Sequence, residues 1–235
     1  MATLSDSPAE LIHVIPPHRF TTALYLEMIE KRLLTPDDPV ELVGGLIVEK
    51  SHADLPLYRF STARYLEMIE KGIIGPHDRV ELVEGVIVDM SPAGSRHNQF
   101  LGQLIRLFAP LLDSADVWSQ GTLVVADGQV YDPDIMLLRR KPGGYKLKLP
   151  GPEDVLLLVE AAESSFRLDQ QIKLPVYAAA GIPEYWIADL AREEIIVHRE
   201  PDGNAYRVVQ TFRGEDVVSP LAAPELSFAV QRAFN

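Results

Sequence analysis

Apolar residues recur at two periods along this chain, and the switching between them predicts a mixed fold. Between Thr62 and Ile74, Tyr65, Met68 and Ile69 fall at helical spacing, with Ser61 or Thr62 placed to cap the start. The period then changes. Val80–Val83 and Val86–Met90 alternate around Glu84-Gly85, the pattern of a hairpin. From about Ser95 to Leu112 the residues Phe100, Leu101, Leu104, Ile105, Phe108 and Leu111 form one broad helical stripe. Strands are expected at Val117–Val125 and Gln129–Leu138. Within Asp154–Ala162 the near-continuous apolar run VLLLVEAA predicts a central strand buried on both faces. A helix is expected over about Leu168–Ala180, ended by Gly181 and kept from resuming by Pro183. Tyr185–Asp189, Ile195–Arg199 and Tyr206–Phe212 read as a closing antiparallel meander with a turn at Asp202-Gly203. The whole is an α/β (α+β) order: a mostly central sheet with helices packed on it.

One stretch is written twice. His18–Ser51 and Tyr58–Ser91 agree at about 20 of 34 positions at a fixed offset, a true internal repeat. Each copy carries the helix and the hairpin. The expected organisation is a partial repeat at residues 1–57 and a main domain at 58–235, and the duplicated hairpin offers an edge for strand pairing in a homodimer. Only the second copy runs straight into residues able to carry chemistry. Glu81 has the counterpart Glu41, but Glu84 is matched by Gly44 and His97 by Leu57. The working site is therefore expected in the second copy.

With 235 residues, 47% of them hydrophobic and 24% charged, a sizeable core is possible without staples. There is no cysteine, which excludes disulfides and thiolate metal sites and fits a reducing compartment. Met1–Glu10 is polar and acidic, unlike a secretory signal. No apolar run approaches the roughly 18 residues needed to span a bilayer. A cytoplasmic protein with no membrane partner is expected. The net charge of -12 argues against a wide basic footprint for nucleic acid.

The sharpest chemical signal is a pair of acids set in apolar strands: Asp134 in YDPDIMLL and Glu160 in VLLLVEAA. A buried carboxylate costs several kcal/mol unless it is paired or bound to a cation. Pro133 removes a ladder donor beside Asp134. Two acids on neighbouring strands repel unless a divalent cation neutralises both, and oxygen ligands suit Mg²⁺ or Mn²⁺. Either acid alone is as well explained by pairing with an arginine. Lys173 lies four residues after Asp169, so on a continuous helix they share a face, and a surface ion pair is the plainer reading. A short connection from the Glu160 strand would equally let Lys173 fold back over the strand end. His97, at the start of the long helix, fits a ligand or a cap. Arg139, Arg140, Lys141, Lys146 and Lys148 crowd one Gly-rich loop after the Asp134 strand, either a phosphate-binding patch or a solvated loop. No nucleophile elbow, P-loop, dinucleotide fingerprint or H-E-x-x-H is present.

Taken together, RVELVEGVIVDMSP, a His in the next helix, DPDIMLL, VLLLVEAAESS and DQQIKLPVYAAAGIPEYWIAD resemble the Uma-type restriction endonuclease family of the PD-(D/E)XK nuclease superfamily. The resemblance runs from about Arg59 to the C-terminus, and Glu160–Asp189 is its most specific part. It implies a restriction-endonuclease-like central mixed sheet flanked by helices. It implies Asp134 as the acid of the PD motif and Glu160 as the acid opening E-x-K. Ala162 stands where the lysine is usual, so the lysine role passes to Lys173 in the following helix. Glu81 and His97 match further positions near the site. The implied activity is Mg²⁺- or Mn²⁺-dependent hydrolysis of DNA, with Asp134, Glu160 and the Ala161 carbonyl holding the metal. The competing reading is a nuclease fold serving as a non-catalytic binding or assembly module; an RNA-cutting enzyme is a weaker third.

Overall fold

The structure is a computed structural model that describes residues 15–50 and 55–235. The reading of Met1–Glu10 lies outside the described residues. The chain divides into two compact units: the residues up to Met90 with Ala126–Tyr131, and Ser91–Val125 with Asp132–Asn235. The boundary expected at residue 57/58 thus falls inside the first unit, because the two repeat copies pack with each other.

In the first unit each copy folds into one helix and one hairpin. The first has α1 (Thr22–Glu30), β1 (Val40–Val43) and β2 (Leu46–Glu49); the second has α2 (Thr62–Glu70), β3 (Val80–Val83) and β4 (Val86–Asp89). Thr21 and Ser61 cap the helices, each hydroxyl accepting the N–H three residues on. Both hairpin turns need left-handed backbone at two successive positions. Gly44-Gly45 meets that without strain, whereas Glu84 does not. Glu84 stands exposed on this turn.

The second unit is built on a sheet in the order β12-β11-β10-β9-β8-β5. Its strands are β5 (Ala115–Ser119), β8 (Ile135–Arg139), β9 (Val155–Ala162), β10 (Glu184–Asp189), β11 (Glu194–Asp202) and β12 (Ala205–Arg213). β9 is interior, as its apolar run predicts. It pairs antiparallel with β8 and parallel with β10, so the sheet is mixed, and β10–β11–β12 is the expected meander. The two long strands expected between residues 117 and 138 are each broken. Gln120 turns left-handed and Gly121 lies so close to Trp118 that a Cβ would sit 2.7 Å from its ring; β5 ends there and β6 (Leu123–Ala126) follows. β7 (Gln129–Tyr131) is separated from β8 by Asp132-Pro133-Asp134, where Pro133 has no N–H for a ladder.

Helix α3 (Ser95–Phe108) lays Phe100, Leu101, Leu104 and Phe108 on one sheet face, against Ile135, Leu137, Leu157, Val159, Ala161 and Trp186. Pro110 converts its expected last turn into a 3-10 segment, Ala109–Leu111. The parallel β9–β10 pair requires a crossover, and an interrupted helix supplies it: Phe166–Leu168, a π-helical turn Asp169–Lys173, then Leu174–Ala179. Among the described residues no helix is long and apolar enough to cross a membrane.

Candidate active site

Strand alternation sets the direction of Glu160. On β8 and β9 the odd-numbered residues face α3, so Met136, Leu158 and Glu160 share the opposite face, and Asp134 lies in the bend just before β8. Asp134 sits where β8 begins and Glu160 near where β9 ends, which are neighbouring ends because the strands are antiparallel. The Asp134 carbonyl is held from the β5 side by Gln120 N–H at 3.2 Å and Ser119 Oγ at 3.1 Å. Its carboxylate turns toward β9, where Oδ2 accepts the Ala161 N–H at 2.8 Å. The Asp134 N–H in turn approaches Glu160 Oε2 at 3.4 Å. The two acids are joined, and both are buried.

The register explains the role of Pro133. Continuing the pairing Ile135↔Val159 places Ala161 opposite Pro133. Proline has no N–H to donate, so the Ala161 carbonyl loses its ladder donor where the Ala161 N–H is taken by Asp134 instead.

The interrupted helix brings a cation. Lys173 Nζ donates to Glu160 Oε1 at 2.9 Å, with side chains only 3% and 5% exposed. Tyr177 OH donates to the same oxygen at 3.4 Å. Asp169 lies 4.0 Å from Lys173 Nζ and accepts from Ser165 Oγ at 2.7 Å. The Asp169–Lys173 pair is therefore buried, not the surface pair that spacing alone favours. The π-turn has a clear cause. Pro175 cannot donate to a carbonyl one turn back, and the Leu174 N–H bonds Asp169 O, five residues back. Tyr185 OH bonds the Asp169 carbonyl at 3.3 Å, and burial, with Asp169 and Glu160 nearby, raises its pKa well above the ordinary phenol value. It stays a neutral donor.

His97, in the first turn of α3, places Nε2 3.1 Å from Asp134 Oδ1. That contact is an ion pair when the imidazole is protonated. Three buried carboxylates, Asp134, Glu160 and Asp169, thus lie with one ammonium and one imidazole. Among the described residues no group of three or more His, Cys, Asp or Glu side chains is arranged to hold a metal ion. The donors that fit a hard cation are Asp134, Glu160 and the Ala161 carbonyl, two carboxylates and a backbone oxygen relieved of its ladder partner.

Burial alone would not have found this site. Glu184 is fully buried too, yet Arg199, Trp186 Nε1 and the Leu221 N–H satisfy both its oxygens. Tyr177 was missed by the sequence reading; its signal is the four-residue step from Lys173. The basic loop is not brought to the acids. Arg139 closes β8 at the end away from Asp134, about 17 Å along five strand residues. Its charges are also engaged nearby. Lys141 contacts both Asp154 oxygens at 3.0 Å, Lys148 lies 3.5 Å from Glu153, Arg139 bonds Glu153 O and Arg140 bonds Asp113 O. Lys146 is exposed. Glu81 belongs to the first unit, buried on β3 opposite Val88.

A family model described as "Putative restriction endonuclease", Uma2, matches residues 62–231. The chain belongs to the Uma2 family. The match begins at the second repeat copy and leaves the first outside. A solved structure from Anabaena variabilis, described as "a putative nuclease belonging to DUF820", superposes with a TM-score of 0.59 at 14% identity, over 74% of this chain and 97% of that one. That similarity shows a shared fold. No curated protein matches the sequence. This Uma2 chain is nuclease-like by family, and its mixed sheet with flanking helices is that of a nuclease fold.

Proposed function

We propose that this Uma2 protein is a divalent-metal-dependent endonuclease that hydrolyses DNA phosphodiesters at Asp134, Glu160 and Lys173. The observation that carries the reading is the meeting of Asp134 and Glu160 at neighbouring strand ends, the Asp134 N–H 3.4 Å from Glu160 Oε2, with buried Lys173 2.9 Å from Glu160. Asp134, Glu160 and the Ala161 carbonyl would hold Mg²⁺ or Mn²⁺. When bound, such an ion lowers the pKa of a water and offsets charge on the phosphate. Lys173 and Tyr177 fix the Glu160 rotamer, and the Ala161 N–H fixes Asp134. Lys173 orients the attacking water or takes up negative charge developing on the phosphate. His97 steadies the outer oxygen of Asp134. Glu81 keeps its assignment from the family resemblance, to be tested as Glu81→Ala. Cleavage of supercoiled plasmid with Mg²⁺ or Mn²⁺ tests the proposal; Asp134→Ala that cuts as well as the wild type overturns it.

A second reading, a non-catalytic binding or assembly module, is favoured by one observation: the net charge is -12 and the basic loop contacts its own acids. Calorimetric Mn²⁺ titration separates the two. Binding that is lost in Glu160→Ala supports the enzyme, and no binding in the wild type supports the module.

A further inference from the structure

The two repeat copies contact each other reciprocally. Pro17 bridges Val88, and Leu57 bridges Val48. His18 N–H donates to Ile87 O at 2.8 Å, and Tyr58 N–H donates to Ile47 O at 2.9 Å. Asp89 N–H meets Pro16 O at 3.2 Å, and Glu49 N–H meets Pro56 O at 2.9 Å. Lys31 Nζ donates to Lys71 O at 2.5 Å, and Lys71 Nζ donates to Lys31 O at 2.7 Å. Within every pair, the residues of one contact are the repeat counterparts of the residues of the other.

Chain connectivity does not explain this. The Leu57–Val48 bridge closes over a short stretch, while Pro17–Val88 joins distant segments. A two-fold relation explains both, since in an isologous interface residue i meets j and j meets i. Each copy lends the short segment before its helix to the outer edge of the other's hairpin, covering β2 and β4 by strand addition.

We propose that the first copy is an intramolecular second subunit. It fills, within one chain, the self-complementary face on which a second copy of this unit would otherwise dock. Side chains show what a second chain would restore. Arg64 reaches Asp38 at 2.8 Å, and Tyr58 OH reaches the same oxygen at 2.9 Å. The symmetry-related pair would be Leu24 with Asp78, where the cation is gone. Two second copies facing each other would form both Arg64–Asp78 pairs. The first copy therefore holds the seat with half of the charge complement, and its tether supplies a high effective concentration.

The chain lacks cysteine, so introduced thiols report cleanly. In Lys31→Cys/Lys71→Cys a short bismaleimide is expected to link the two sites within one chain, at monomer mass. Lys71→Cys alone is expected to give no linked dimer. Dimers from the single variant, or links between chains in the double, overturn the proposal. Met28→Asp/Ile47→Asp then collapses the first copy alone, since both residues are buried in it. The mass from light scattering is expected to double, and Arg64→Asp added to that variant is expected to return it to a monomer. A folded variant that stays monomeric across concentration overturns the proposal; if it precipitates, the cross-links in the Lys31→Cys/Lys71→Cys and Lys71→Cys variants decide.

Discussion

Replacing Lys173 by methionine keeps the stem and removes the ammonium. Lys173 is 2% exposed and holds Glu160 at 2.9 Å, with Asp169 at 4.0 Å. Its loss strands two carboxylates out of water. Breaking a buried pair from one side costs about 3–5 kcal/mol. In a protein of this size that corresponds to a fall of roughly 6–20 °C in the transition of the second unit. Because the chain has two compact units, the assay follows the second, for example through Trp118 and Trp186 fluorescence in a urea titration. Glu160→Gln/Lys173→Met removes both charges and keeps an acceptor for Tyr177. It is expected to lie about 1–3 kcal/mol above the sum of the single variants. The double also loses the acid proposed to hold the metal, so stability is expected to recover while cleavage is not. A Lys173→Met variant costing under about 1 kcal/mol, or a strictly additive cycle, would refute the buried pair and with it the placement of Lys173 in the site.

Further expectations concern activity and pH. Asp134→Asn and Glu160→Gln should each lower Mg²⁺-dependent plasmid cleavage by about 100-fold or more, and EDTA should abolish it; equal rates in gel assays would contradict this. Lys146→Ala/Lys148→Ala should leave cleavage within about twofold, because the loop lies at the far end of β8; a larger loss would restore it as substrate-binding. Glu184→Gln should cost stability by about 2 kcal/mol with cleavage retained, because the amide removes the charge facing Arg199 and turns an NH2 toward a donor, the Leu221 N–H or the Arg199 and Trp186 groups. For stability against pH, burial lowers the His198 pKa below its ordinary value. Its unfolded form binds protons first, so stability is full above about pH 6.5 and declines as pH falls toward the lower folded pKa. His198→Gln should flatten that decline in urea titrations. Asp38 acts in a lower window. Burial opposes its charge, but hydrogen bonds from Arg64, the Thr35 N–H, Tyr58 and the Thr35 hydroxyl outweigh that and hold its pKa down at about 2. Its stabilisation is present above the ordinary carboxylate pKa and is lost as pH falls from about 4 toward about 2; Asp38→Asn should remove that step.

What the sequence determined by itself was local. Period and punctuation placed the paired helix-hairpins, the long stripe of α3, the interior strand β9 and the meander, since side-chain direction along a helix or strand follows from backbone geometry alone. The two acids stood out because a carboxylate in an apolar run demands a partner. Only the tertiary structure decided who that partner is. Strand register put Asp134 beside Glu160 and Pro133 opposite Ala161. The π-turn set by Pro175 delivered Lys173 and Tyr177 to Glu160 and buried a pair that spacing alone would leave on the surface. Strand direction sent the basic loop to the wrong end of β8, a fact no local charge count contains. The repeat was plain to read, but its two-fold closure was not, because it depends on contacts such as Pro17–Val88 that join residues far apart in the chain, and such pairings are selected by packing rather than by propensity.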